Sequence, residues 1–235
     1  MVEKRLPWGY AKELQHIRWS PEELNKKLLE DIPEEEKHLK FLLILLYLAG
    51  ARLQEIIPLN EEGQHRPSLR WRDIYFERVG DDDTKWNLCI ECRILKQDRH
   101  KESHQKWMNK RKTIIPCREE HYDFPLVEFV YNYLEQDGYF NSHTYLEVSD
   151  RKHNTSEQEF FEGVKSMGSV EQLCNKYLKC NPHYLRHLKF YHLSNEDNLT
   201  PQMLKEIGSW KSGEMCLHYS QATQKDIQRR LWGEG

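Results

Sequence analysis

The segment that most limits how this chain can fold is Phe41–Leu48, eight consecutive apolar residues. A membrane-spanning helix needs about 20, so the run is too short to cross a bilayer. It reads instead as the heart of a buried helix over Leu39–Leu48. Pro33-Glu34-Glu35-Glu36 starts that helix and Gly50 ends it, because acidic side chains favour the positive end of a helix and glycine its exit. A chain of 235 residues, 38% apolar, supplies one large domain with a core. Its six cysteines follow no basic-then-apolar leader and read as reduced thiols of a cytosolic-type compartment. A membrane protein, a collagen-like chain and a disulfide-stapled secreted module are excluded.

Three further helix starts share one design. Ser20-Pro21, Asn181-Pro182 and Thr200-Pro201 each pair a capping side chain with proline at the first helical position. Arg52–Ile57 reads as a short helix stopped by Pro58, and Pro125–Leu134 as a longer one. Ser212-Gly213-Glu214 caps a last helix running towards Arg230, and residues 138–168 read as loop-rich. Trp71–Val79, Lys85–Leu95 and Lys112–Pro116 are β-branched, aromatic and apolar enough for strands. The expected fold class is therefore α+β, mainly helical with a small three-stranded antiparallel sheet. A long polar tip, Gln97–Lys110, joins its second and third strands.

The net charge of −3 hides a segregation. Between Arg93 and Arg118 nine Lys/Arg face two acids, a local charge of +7. Between Cys174 and His192 there are four Lys/Arg, three His and no acid. Such a distribution predicts a cationic face suited to phosphates. Lys106, Lys110, Arg111, Lys112 and Lys189 are its expected DNA contacts.

The richest stretch is Asn181-Pro182-His183-Tyr184-Leu185-Arg186-His187. With Asn181 as cap, His183 and Arg186 fall three apart in the opening turns of a helix, where free N–H groups favour an anion. His183–His187 resembles the H-x-L-R-H motif of the tyrosine recombinases, the phage-integrase and Xer-type family. Ile207-Gly208-Ser209-Trp210 is similar to that family's L-G-H/W element, and Tyr219 lies nine residues beyond Trp210. Upstream, Gly50-Ala51-Arg52-Leu53-Gln54-Glu55-Ile56 resembles the G-x-R-[IL]-x-E-[LI] motif, followed by Leu69-Arg70-Trp71-Arg72-Asp73-Ile74 as the chain enters the sheet. The likeness runs from about Arg18 to Tyr219.

The resemblance implies a tyrosine-recombinase catalytic-domain fold and a site assigned residue by residue. Arg52 and Arg186 would clamp the scissile phosphate, Glu55 would support them, and His183 would transfer a proton. Trp210 would fill the His/Trp position and Tyr219 would be the nucleophile. The family's hairpin lysine maps to Lys96, although the long tip also offers Lys101, Lys106 and Lys110. The implied activity is breaking and rejoining double-stranded DNA through a 3′-phosphotyrosine, without metal, ATP or other cofactor, by the integrase of a mobile genetic element. A type IB-like topoisomerase and a catalytically silent DNA-binding relative are the alternatives. The implied partners are duplex DNA and further copies of the chain in a tetrameric synapse, with no membrane and no small-molecule substrate, in the cytoplasm on DNA. Residues 18–235 are expected to form the catalytic domain after a lead-in over 1–17, with no separate core-binding domain. Cys89, Cys92, Cys117 and His121 bracket the hairpin as a zinc alternative, but the odd offset of the first two turns them to opposite faces of a strand.

Overall fold

The computed structural model describes residues 19–57, 59–61, 64–66, 69, 73–80, 82–93, 110–136 and 167–210. Helix α1, Pro21–Lys26, begins with a capping box. The Ser20 hydroxyl accepts the Glu23 N–H at 3.2 Å, and the Glu23 carboxylate accepts the Ser20 N–H at 2.9 Å. After a wider turn, Lys27–Asp31, and a three-residue turn, Glu34–Glu36, comes α2, Lys37–Leu48.

Every residue of α2 from Leu39 to Leu48 is buried. A helix apolar on all sides must be surrounded. It packs against α3 (Leu53–Ile56), α4 (Phe124–Gln136) and α6 (Pro182–Asn195). Lys40, charged and buried, donates to the Leu29 carbonyl at 2.9 Å and pairs with Glu34 at 3.2 Å. The helix ends in a Schellman motif, with Ala51 N–H bonded to Leu46 O at 3.0 Å and Gly50 N–H to Tyr47 O at 2.8 Å. Gly50 holds φ at +52° there.

Leu59–Glu61 (β1) and Gln64–Arg66 (β2) form a two-stranded hairpin that the sequence did not announce, being short and mostly polar. The expected three-stranded sheet is present as an antiparallel meander, β3 (Ile74–Val79), β4 (Asp82–Arg93) and β5 (Lys110–Pro116). Its register opposes Phe76 to Leu88, Ile90 to Thr113 and Cys92 to Arg111. Opposed residues share a face, so Ile74, Phe76, Leu88, Ile90, Cys92, Arg111, Thr113 and Ile115 line the inner side, all buried. Phe76 meets Tyr131 of α4 edge to face, with centroids 5.7 Å apart.

Helices α5 (Met167–Leu178), α6 and α7 (Pro201–Gly208) complete the described residues. Asn181 and Thr200 cap α6 and α7 by accepting the Tyr184 and Met203 N–H groups at 3.1 and 3.3 Å. The expected helix after Ser212 lies outside the described residues. Among those described, no helix is long and apolar enough to cross a membrane.

Behind α6 lies a buried polar network. Lys189 pairs with Asp123, and its ammonium sits 5.3 Å from the Tyr47 ring centre and 5.6 Å from that of Tyr122. His192, fully buried, bonds Tyr47 Oη through Nδ1 at 2.8 Å and the Trp19 carbonyl through Nε2 at 3.0 Å. A carbonyl only accepts, so Nε2 carries the proton and Nδ1 accepts the tyrosine hydroxyl. Burial pushes His192 below its usual range, although the Trp19 carbonyl and Asp123 oppose the shift. The unfolded chain therefore binds a proton below about pH 6.5 that the folded chain refuses. Stability should fall as pH drops through that region, and melts at about pH 7.5 and 5.5 check it. Equal melting temperatures at the two would contradict the neutral assignment.

Candidate active site

The turn that ends α2 and the first turn of α3 bring an acid among three arginines. Arg52 caps α3, and Glu55 is its third residue. The Glu55 carboxylate accepts the Arg52 backbone N–H on Oε2 at 2.9 Å and Arg52 Nη1 on Oε1 at 2.8 Å. Oε2 also accepts Nη2 of Arg111 at 3.2 Å and lies 4.0 Å from Nη1 of Arg186. Glu55 is 1% exposed. Burial alone would raise its pKa, but Arg111, Arg186 and Arg52 together hold it below the usual carboxylate range. The carboxylate stays charged and acts as a fixed anchor for guanidinium groups.

Arg186 reaches this point from the second turn of α6, with Nη1 donating to the Gly50 carbonyl and Nη2 to that of Gly208 at 3.4 Å. Its guanidinium carbon stands 4.9 Å from the Phe190 ring centre and 5.6 Å from that of Trp210. Trp210 folds back over the end of α7 because Ser209 takes a left-handed conformation, φ 50°. A Cβ on Gly208 would lie 2.7 Å from the Trp210 ring, so only glycine leaves the indole this seat. Arg52, with 26% of its side chain exposed, is the open arginine of the pair, and Arg186, at 1%, the buried one. His183 is exposed in the first turn of α6, its ring 4.8 Å from that of His187.

Thus Arg52, Glu55, Arg186 and Trp210 come together, with His183 one turn before Arg186 on the same helix. Lys96, Lys101, Lys106 and Tyr219 lie outside the described residues. The expected DNA contacts need correction in placement. Lys189 is buried on Asp123 and Arg111 on Glu55, so neither presents its charge to the surface. Lys110 pairs with Asp73 at 2.5 Å and Glu91 at 3.2 Å, and Lys112 with Glu77 at 2.6 Å. Lys110, Arg111 and Lys112, three of the nine cations in the linear count, are thus matched by Asp73, Glu91, Glu55 and Glu77.

The signal for Arg111 was available. Strand alternation puts it on one face with Thr113 and Ile115, opposite the exposed Lys110, Lys112 and Ile114. Cys89 and Cys92 do turn to opposite faces, Cys89 beside Glu77 and Cys92 beside Arg111 and Glu55. Among the described residues no group of three His, Cys, Asp or Glu could hold a metal ion.

Gly50 is the hinge of this arrangement. A Cβ there would lie 3.1 Å from Phe190 Cε2 and 3.5 Å from Lys189 Cγ, on a backbone with positive φ. Gly50→Ala should lower stability by about 1–2 kcal/mol from the left-handed backbone alone, and should also disturb Arg186, which bonds the Gly50 carbonyl. Urea unfolding checks it, and an unchanged midpoint would contradict the reading.

The fold is similar to that of the XerA recombinase, with a TM-score of 0.52 and 15% identity over 93% of this chain. A second similar structure is the XerH site-specific recombinase bound to its difH substrate, with a TM-score of 0.47, 13% identity and 91% of this chain covered. The chain spans 65% of the XerA chain and 53% of the XerH chain. No family model matches the chain, and no curated protein matches it in sequence. At 15% identity the likeness to XerA establishes the fold alone. That fold is mainly helical with a small antiparallel sheet, the architecture of tyrosine-recombinase catalytic domains.

Proposed function

We propose that this chain contains the catalytic domain of a tyrosine recombinase that breaks and rejoins duplex DNA. The observation that carries the reading is the convergence of Arg52 and Arg186 on the buried Glu55 carboxylate, next to the N-terminal turns of α6. A phosphodiester is anionic, so an oxygen nucleophile approaches only once that charge is balanced. Planar guanidinium forks do this without a metal, provided something holds them in place. Glu55 is that support, and its own charge is locked by its neighbours.

In the reaction, the Tyr219 oxygen attacks phosphorus and the bond from phosphorus to the 5′ oxygen breaks, leaving a 3′-phosphotyrosine. His183 takes the phenol proton, and Lys96 gives a proton to the departing 5′ oxygen. The reverse attack by a 5′-hydroxyl rejoins the strand, since the phosphotyrosine keeps the bond energy. Pairing copies of the chain on two duplexes turns this chemistry into strand exchange.

The test starts from a randomised duplex library carrying a nick, which traps the adduct because the short 5′ fragment diffuses away. Denaturing gels recover any duplex bound covalently, and its sequence defines the substrate for the rates below. Supercoiled plasmid and paired copies of the recovered duplex then separate two outcomes. Junctions between two duplexes support recombination, whereas plasmid relaxation without junctions indicates a topoisomerase. Binding without any adduct would overturn the catalytic reading.

A further inference from the structure

We infer that Arg111 is a positioning residue for the strand-cleaving site, holding Glu55 and the Gly50 turn so that Arg52 and Arg186 are set towards one phosphate. The inference rests on the recombinase reading above. Arg111 belongs to none of the three motifs that carry the resemblance, and its place in a lysine-rich strand suggests a surface residue. Its side chain is instead 96% buried, and its guanidinium is divided among three elements. Nη1 donates to the Ala49 carbonyl at 2.7 Å, to Thr113 Oγ1 at 3.1 Å and to the Ile207 carbonyl at 3.4 Å. Nη2 donates to the Gly50 carbonyl at 3.1 Å and to Glu55 Oε2 at 3.2 Å.

These contacts define its work. The Gly50 carbonyl is shared with Arg186, and the Glu55 carboxylate with Arg52. Arg111 therefore touches both groups that orient the phosphate arginines, while its own side chain is buried and faces inward. Its bond to Ile207 also ties β5 to the last turn of α7, from which Trp210 folds back over Arg186. A hydrophobic residue on that strand could fill the space but could not bind a carboxylate and three carbonyls together.

The charge on Glu55 gives the distinguishing readout. Four ionisable groups face it, namely Arg52 at the start of its own helix, Arg111 from β5, Arg186 from α6 and the Cys92 thiol from β4. Burial pushes Cys92 up to about 12, so it stays neutral. Arg111 is the strongest of the three cations acting on Glu55. An opposite charge within 4–6 Å typically lowers a carboxyl pKa by about 1–3 units. Removing it lets Glu55 take up a proton at a higher pH, and the anchor for Arg52 weakens as pH falls.

The experiment measures single-turnover adduct formation by the full chain on the recovered nicked duplex, at saturating DNA, across pH. Arg111→Gln should slow cleavage about 10- to 10²-fold, the effect of a small misplacement of reacting groups. It should leave DNA affinity within about twofold. On the acidic limb its rate should fall further below that of the wild type as pH drops, because Glu55 without Arg111 takes up a proton at a higher pH. Thr113→Val, which loses the bond to the Ala49 carbonyl and the one Thr113 accepts from Arg111 Nη1 but keeps the Arg111–Glu55 pair, should lower the melting temperature and leave the pH profile in place. Should Arg111→Gln not fold, Arg111→Lys carries the test. It keeps the cation and loses the fork, so the limb should stay at the wild-type position while the rate drops about tenfold. A wild-type rate and pH profile in the variant that folds would overturn the inference while the recombinase reading stands. A wild type that forms no adduct would overturn both.

Discussion

Arg186→Ala should reduce the single-turnover rate of adduct formation on the recovered duplex by about 10²–10³-fold, the usual effect of removing one transition-state donor. The buried position of this residue explains why the loss should be so large. Its guanidinium is fixed by the Gly50 and Gly208 carbonyls and flanked by Phe190 and Trp210, so it waits in place and needs no reorganisation as charge develops on phosphorus. Alanine would leave those carbonyls without this donor and a gap beside the indole, so some loss of stability accompanies the loss of rate. Rates are therefore compared for the fraction that binds DNA, with Arg186→Lys beside it. Lysine keeps the charge and loses the fork, and should recover only part of the rate. A loss of less than about threefold in Arg186→Ala would remove the residue from the site.

Much of the fold could be read from local chemistry. Ser20, Asn181 and Thr200 each accept the N–H three residues on, as a capping side chain before proline requires. The all-apolar Phe41–Leu48 stretch is buried throughout. The strands were found from their composition, with β4 starting three residues and β5 two residues earlier than expected because the backbones of Asp82 and Lys110 still join the ladder. The hairpin over β1 and β2 escaped notice because three-residue strands leave no alternation to detect.

Charge misled where it was counted along the chain without regard to faces. Arg111 shares a strand face with Thr113 and Ile115, and Lys189 shares a helix face with Leu185, Leu188 and His192, at spacings that turn them inward together. Each is a cation carried into the core to meet a buried acid. Nor could spacing alone reveal that Arg52, Glu55 and Arg186 meet, because α6 is far from α3 in sequence and is drawn to it across α2. That proximity was expected only through the family resemblance.

The central claim is that Tyr219 becomes covalently joined to DNA, and the most direct measurement is made on that bond. Wild-type protein trapped on the nicked duplex is digested with protease, and the peptide carrying the nucleotide is sequenced by mass spectrometry alongside Tyr219→Phe. The substitution removes one oxygen and keeps the ring, so folding and DNA affinity should be retained while the adduct disappears. The account predicts a phosphotyrosine at position 219 and no denaturant-resistant complex from the phenylalanine variant. An adduct that persists in Tyr219→Phe, or a nucleotide carried by any other residue, would contradict it.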